Sequence, residues 1–346
     1  MSASFHLTAQ PSTDPTSVYR YRDGLYAVDL LTAAIIEFDF FTWLSTNPGD
    51  LAAICRHFGL AARPTDVMLT LFASMGLLAR QSDGRVALTT VAREHLVSNS
   101  QWFLGPYYAS LKDRPVVLDM VRVLRTGKPA SFVSNKNEKE WAKAMEGEDF
   151  AKRFTAAMDC RGVYLAQAAA RKVDLSRHRR LLDIAGGSGI YACSFVARHS
   201  HLRATVFEKP PVDAIATRMI DSRGFNEKVS VKPGDMFRDA LPSDCDVHLF
   251  SNVLHDWDEP LVCDLLAKSA QALSPGGMII IHDAHINADK SGPLPVASYS
   301  ALLMNITEGK CYSVTEMTGY LRAVGFSQFS FSDTAADRSI LTAVKA

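Results

Sequence analysis

The chain has 346 residues, 47% of them hydrophobic, and 37 Lys plus Arg against 37 Asp plus Glu. This balance gives no electrostatic reason to expect nucleic acid or an anionic membrane as partner, and no apolar run is long enough to span a bilayer. The six cysteines are scattered without a CxxC pair, which reads as reduced core thiols of a cytoplasmic protein rather than a disulfide or zinc framework.

Residues 1–17 are polar, with two prolines and no apolar core, and make a poor signal peptide. "GLYAVDLLTAAIIEFDFFTWL" then keeps apolar residues at helical spacing and turns apolar nearly all round. It predicts a helix covered on more than one side, a second chain being one way to cover it. Asp50 is placed to cap a short helix, Gly59 to end it and Pro64 to open the next. "LLARQSDGRVALT" reads as a hairpin turning at Asp83-Gly84. Helix, turn, helix and wing form a winged-helix pattern. Its second helix, "TDVMLTLFASMGLL", has no Lys, Arg, Asn or Gln to reach base edges. That composition argues against a DNA-binding regulator and for packing against a partner. Residues 98–180 read as mainly helical, looser around "RTGKPASFVSNKNEKEW".

From Arg180 the pattern changes. "RLLDIAGGSG", "RATVFEK", "VSVKPGDMF", "CDVHLFSNVL" and "GMIIIHDA" are short apolar runs ending in turn residues, with helical stretches between most of them. The alternation predicts an α/β fold, a doubly wound Rossmann-like sheet behind a mainly helical N-terminal half. The tail from Phe326 reads as two further strands paired at one edge.

The glycine loop admits two readings. Gly187, Gly189 and Ala192 satisfy G-x-G-x-x-A, and Glu208 closes the next strand where a ribose-binding acid belongs. An NAD-dependent oxidoreductase and an S-adenosylmethionine enzyme fit equally well. Asp183 shifts the balance, since a carboxylate there repels a pyrophosphate and suits a cationic cofactor. Asp235, followed by Met236 and Phe237, adds an acid beside flat apolar groups at a third strand end, which suits a nucleobase.

Taken in order, "LLDIAGGSG", "VFEKPPV", "PGDMF", "FSNVLHDWDEP", "LSPGGMIIIHDA" and "GKCYSVTEM…LRAVGF" resemble the small-molecule O-methyltransferases of the plant caffeate/isoflavone type and their bacterial relatives. The resemblance covers most of the chain. It implies a winged-helix-like dimerisation domain over 1–110, a helical linker and substrate-pocket region over 111–165, and an S-adenosylmethionine-binding domain over 166–346. The implied activity is O-methylation of a small aromatic or polyketide-like molecule in secondary metabolism, by a homodimer, with S-adenosylhomocysteine as product. Asp183, Gly186, Gly187, Gly189, Glu208, Asp235, Met236, Phe237, Ser251 and Trp257 would then hold the cofactor. His255 would be the general base, Asp283 its supporting acid, and Asp256 a neighbour of the substrate. Phe154, Met158, Met304 and Asn305 would line the acceptor pocket. Two departures stand out. Cys311 occupies the position of the family's second glutamate, so either Asp283 supports the base alone or the register slips to Glu308. Ala185 replaces a glycine. His282 and His285 flank Asp283, but spacing alone is weak support for a metal, and none is expected. Within the same fold, a carbon or nitrogen acceptor, or a relative that binds the cofactor without methyl transfer, stays open.

Overall fold

The structure, a computed structural model, describes residues 7–130 and 147–346. The N-terminal half is helical, with α1 (Thr16–Asp23), α2 (Ala27–Ile36), α3 (Phe40–Thr46), α4 (Leu51–Phe58) and α5 (Ala62–Ser74). The apolar run over 24–44, expected as one helix, is two. The first stops at Ile36, and Asp39 precedes the second at a left-handed φ of 45°, a conformation Asp tolerates better than most residues. The break lets Phe40 and Phe41 turn onto Phe72, with ring centroids 6.1 and 5.3 Å apart. Asp50 accepts from the Ala53 amide at 2.8 Å, Gly59 closes α4 at φ 65°, and Pro64 sits in the first turn of α5. β1 (Leu78–Arg80) and β2 (Val86–Leu88) pair antiparallel as the wing. Next come α6 (Thr90–His95), α7 (Gly105–Tyr108), α8 (Pro115–Thr126) and the long α9 (Glu148–Lys172). Residues 131–146 of the looser stretch lie outside the described residues.

The second half alternates as expected: β3 (Arg180–Ile184), α10 (Ile190–Arg198), β4 (Arg203–Glu208), α11 (Val212–Ser222), β5 (Val229–Pro233), β6 (Val247–Ser251), α12 (Glu259–Ala272) and β7 (Met278–Asp283). The remainder is α13 (Leu294–Ile306), α14 (Val314–Ala323), β8 (Phe326–Asp333) and β9 (Ser339–Lys345). The sheet order is β5-β4-β3-β6-β7-β9-β8. The first five are parallel, and β9 runs antiparallel to both β7 and β8. Central strands such as Met278–Asp283 read as unbroken apolar runs because helices cover both sheet faces. Strand order reverses between β3 and β6. The loops leaving those strands therefore open a crevice at the carboxyl edge of the sheet, where ligands bind in such folds.

Although α13 follows the last parallel strand in sequence, it packs into the N-terminal core. Val296, Ala297, Ala301 and Leu302 are buried in one cluster with Leu30, Leu69 and Phe72. α1 is tied the other way. Asp23 pairs with Arg338 at 2.9 Å, both are buried, and the Arg338 guanidinium lies 4.4 Å from the Tyr299 ring centroid. Among the described residues no helix is long and apolar enough to cross a membrane.

Candidate active site

A cavity of about 660 Å³ opens at the crevice and reaches back between α9 and α13. The loop after β3 forms one wall. Ala185 and Gly187 both take left-handed φ, 53° and 58°, so the residue that replaces a glycine carries some strain. The Gly187 amide donates to Glu208 Oε2 at 3.0 Å, and the Lys209 amide to Oε1 at 2.9 Å. Asp183 lies beneath the loop, 1% exposed, and accepts from the Ala192 amide at 3.1 Å. A β-carbon at Gly186 would lie 2.6 Å from the Asp183 carboxyl carbon, so glycine is required for this approach. Burial pushes the Asp183 carboxyl up to about 7; the Ala192 amide opposes this and the nearby Glu208 adds to it. Burial also raises Glu208. Two buried acids that resist ionisation form a site matched to a positively charged group. Gly189 is not on the cavity wall. It starts α10 at φ 74°, and a side chain there would meet Ile220.

The next wall is flat and apolar. Asp235, Met236, Phe237 and Trp257 line it, with the last two rings edge to face at 4.7 Å. Lys268 on α12 donates to the carbonyls of Met236, Phe237 and Asp239 at 3.0, 2.6 and 3.0 Å. It holds this loop from behind, a role that a lone lysine on a helix face gave no sequence signal for. Acids facing a cation, glycines where the backbone must approach, and a flat slot with a carboxylate together fit S-adenosylmethionine.

β6 ends at Ser251, which lines the cavity, and the turn Leu254–Asp256 carries His255 to its floor. His255 Nδ1 meets Asp283 Oδ1 at 2.5 Å across the β6–β7 edge, with the two residues 2% and 5% exposed. Burial alone would raise the Asp283 carboxyl. The facing imidazole, as charge and as hydrogen-bond partner, outweighs burial and holds it well below the usual carboxylate range. Asp256 Oδ1 lies 3.6 Å from Nε2. Glu308 instead pairs with Lys128 at 3.7 Å, and Cys311 is buried, its thiol pushed up chiefly by burial. Asp283 is therefore the acid against Nδ1. The neighbouring histidines have their own partners: His282 bonds Ser251 and Thr334, and His285 bonds Ser339.

The acceptor end is built from two helix faces. Phe154, Thr155, Met158 and Arg161 project from α9, and Tyr299, Leu302, Leu303 and Ile306 from α13. Met304 and Asn305, expected here, do not line the cavity. They are 0% and 4% exposed on the other side of α13, with Met304 in the N-terminal core. The lining residues follow the i, i+3, i+4, i+7 spacing from Tyr299, and positions 304 and 305 fall off that stripe. Tyr299, edge-on to His255 at 5.7 Å, and Arg161 were not anticipated.

Gly309 backs the site from outside. A β-carbon there would overlap the His255 carbonyl oxygen and lie 2.7 Å from the Trp257 amide nitrogen. Both are main-chain atoms and cannot give way alone. Gly309→Ala is expected to lose about 1–3 kcal/mol of stability and to lower turnover by displacing His255. Urea unfolding and steady-state assays read both, and wild-type values in each would contradict the expectation.

Residues 119–327 match the O-methyltransferase domain family. The 3-hydroxy-5-methyl-1-naphthoate 3-O-methyltransferase of Streptomyces sahachiroi is 32% identical over 317 residues, 91% of this chain and 90% of that protein. The crystal structure of an O-methyltransferase family 2 protein from Planctomyces limnophilus, complexed with apigenin, superposes with a TM-score of 0.88 at 31% identity. The match covers 99% of this chain and 100% of that one. Human N-acetylserotonin methyltransferase, solved in complex with SAM, shares the fold at a TM-score of 0.61 and 24% identity, over 98% of this chain and 100% of that one.

Proposed function

The chain belongs to the O-methyltransferase domain family and is an S-adenosylmethionine-dependent O-methyltransferase; on that premise we propose how its cavity divides the work. When bound, S-adenosylmethionine supplies a methyl group activated by a positively charged sulfur. Gly186, Gly187 and Ser251 line its place, Glu208 meets the ribose hydroxyls, and Asp235, Met236, Phe237 and Trp257 take the adenine. Asp183 supplies negative charge toward the cationic part. The acceptor is a small aromatic molecule whose hydroxyl faces His255.

The observation that carries this reading is the His255–Asp283 pair on the floor of a cavity whose far wall suits the cofactor. With Nδ1–H donating to Asp283, His255 keeps Nε2 bare for the acceptor proton. A phenol with a reference pKa near ~10 does not ionise unaided at neutral pH, and an imidazole near ~6.5 takes its proton only as the oxygen attacks. Asp283 stabilises the imidazolium that forms. Asp256 stands beside the acceptor, and Phe154, Met158 and Leu303 pack its rings. Exposed Val18 and Tyr21 on α1, Leu25 in the turn that follows and Val28 on α2 offer a second copy a face to cover, as in a homodimer. The test of the reading is transfer of labelled methyl from S-adenosylmethionine to a panel of hydroxyarenes, with the methyl ether as product. Label recovered only on carbon or nitrogen, or on no acceptor, would overturn it.

The Asp183 assignment has a pH signature. Its raised pKa means that the free protein loses stability through this group as pH rises from about 4 to about 7. A bound cation favours the ionised form, so binding releases a proton near neutrality. Affinity for S-adenosylmethionine relative to its uncharged-sulfur product is expected to fall by up to about tenfold per pH unit below about 7. Calorimetry with both ligands measures the ratio, and Asp183→Asn should flatten it. A pH-independent ratio in wild type would contradict the assignment.

A further inference from the structure

Arg161 is a cation without an anion. It stands half-buried on α9 and lines the acceptor end of the cavity. Its Nη1 donates to the Tyr299 hydroxyl at 3.2 Å, and among the described residues no carboxylate lies within salt-bridge distance of it. Tyr299 does not supply the charge, since burial pushes its phenol up to about 12. The nearby Asp23 is already engaged by Arg338 at 2.9 Å and Arg22 at 3.4 Å. Two guanidinium groups thus occupy the one nearby carboxylate, and Arg161 is left without one.

The other end has the opposite sign. Asp256 and Asp283 both face the His255 ring. Between the ends stands Tyr299, its ring edge-on to His255 and its hydroxyl on Arg161. A flat acceptor in this cavity meets a field running from acidic at His255 to basic at Arg161. A charge partly withdrawn from water and left unpaired is unfavourable, and a ligand that brings the counter-charge relieves it. With Nη1 on Tyr299, Arg161 keeps Nε and Nη2 as donors, and a guanidinium fork matches a carboxylate.

We propose that the acceptor is a hydroxyarene acid, its carboxylate bound by Arg161 while its hydroxyl meets His255. This rests on the methyl-transfer reading above and adds the acceptor's charge and orientation. Asp256 repels the acid group from the base, so attraction at Arg161 and repulsion at Asp256 together prevent the molecule from binding reversed.

The test uses the full chain saturated with S-adenosylhomocysteine, and calorimetry with 3-hydroxy-1-naphthoate and with its primary carboxamide, which has the same shape and no charge. Wild type is expected to bind the carboxylate about tenfold or more tighter than the amide. Arg161→Gln should lose that preference while keeping amide affinity within about twofold, and Arg161→Lys should retain part of it. Equal binding by wild type, no binding of either probe, a preference that survives in Arg161→Gln, or an equal loss of both ligands in that variant would each overturn the proposal. Labelled transfer to the naphthoate separates the two claims. Carboxylate preference without transfer counts against the methyl-transfer reading and leaves the anion site standing. Transfer without preference removes the anion site alone.

Discussion

Glutamine at position 255 is expected to lower kcat for methyl transfer by about 10²- to 10⁴-fold, with affinity for S-adenosylmethionine little changed. His255 is 2% exposed, lines the cavity and stands edge-on to Tyr299 of the acceptor end. Its loss therefore removes the proton acceptor and leaves the cofactor walls intact. Asp283→Asn is expected to act through the same group. The 2.5 Å contact to Nδ1 holds one tautomer and balances the imidazolium, and an amide does neither job well. Because the two residues act as a unit, the double variant should be scarcely slower than His255→Gln alone. Steady-state kinetics with a methylated hydroxyarene as product, together with calorimetry for the cofactor, checks all three variants. Turnover within a few-fold of wild type in His255→Gln would remove the general-base role and leave the family assignment untouched.

Asp23→Ala is expected to destabilise the fold by about 3–5 kcal/mol, the usual penalty for stranding one partner of a buried ion pair. Arg338 is 3% exposed and Asp23 5%, at a separation of 2.9 Å. Without Asp23, Arg338 keeps the Tyr299 ring face and the Ala336 carbonyl, and no carboxylate among the described residues is within reach. The neighbouring Arg20–Asp337 pair is a built-in control. It also joins α1 to the β8–β9 connection, at 2.7 Å, but Arg20 is 52% exposed, and solvent screening limits its contribution to about 1 kcal/mol or less. Urea unfolding of Asp23→Ala and Asp337→Ala should thus show a large and a small drop in midpoint at unchanged slope. Similar drops in both would mean that the buried pair does not anchor α1. Replacing both Asp23 and Arg338 by apolar residues should recover part of the loss, since no charge is then left buried.

Much of this architecture could be read from residue order. The inner parallel strands appear as apolar runs because both faces are covered, the edge strand β5 alternates with only Val229 buried, and each ends at the crevice where its functional side chain stands. Asp183, Glu208, Asp235, Ser251 and Asp283 all sit within a residue or two of such an end. The family resemblance placed Asp283 beside His255, with Glu308 as the alternative because Cys311 stands in the place of a second acid, and the strand ends bring the first pair together. The wing and its Asp83-Gly84 turn, the Asp50 cap and the Gly59 stop were visible for the same reason: their chemistry is local.

Other features had no local signature. The break at Asp39 follows from the gain in turning Phe40 and Phe41 onto Phe72, residues some thirty positions away. The phase of α13 was hidden because the helix is buried nearly all round. No stripe marks which residues face the cavity, and Met304 and Asn305 were displaced by Tyr299, Leu302, Leu303 and Ile306. Lys268 and Arg161 are single basic residues on helices, and their roles depend on which carbonyls or carboxylates lie nearby.

By itself the sequence determined the sheet and the glycine loop, because strand and loop chemistry are set by residues close in the chain, while the His255–Asp283 pair and the cofactor came from its resemblance to a family. Only the tertiary structure decided the acceptor end of the cavity. That end is assembled from α9, α13 and α1, segments far apart in sequence, and its charge follows from which of three guanidinium groups the single carboxylate of Asp23 can reach.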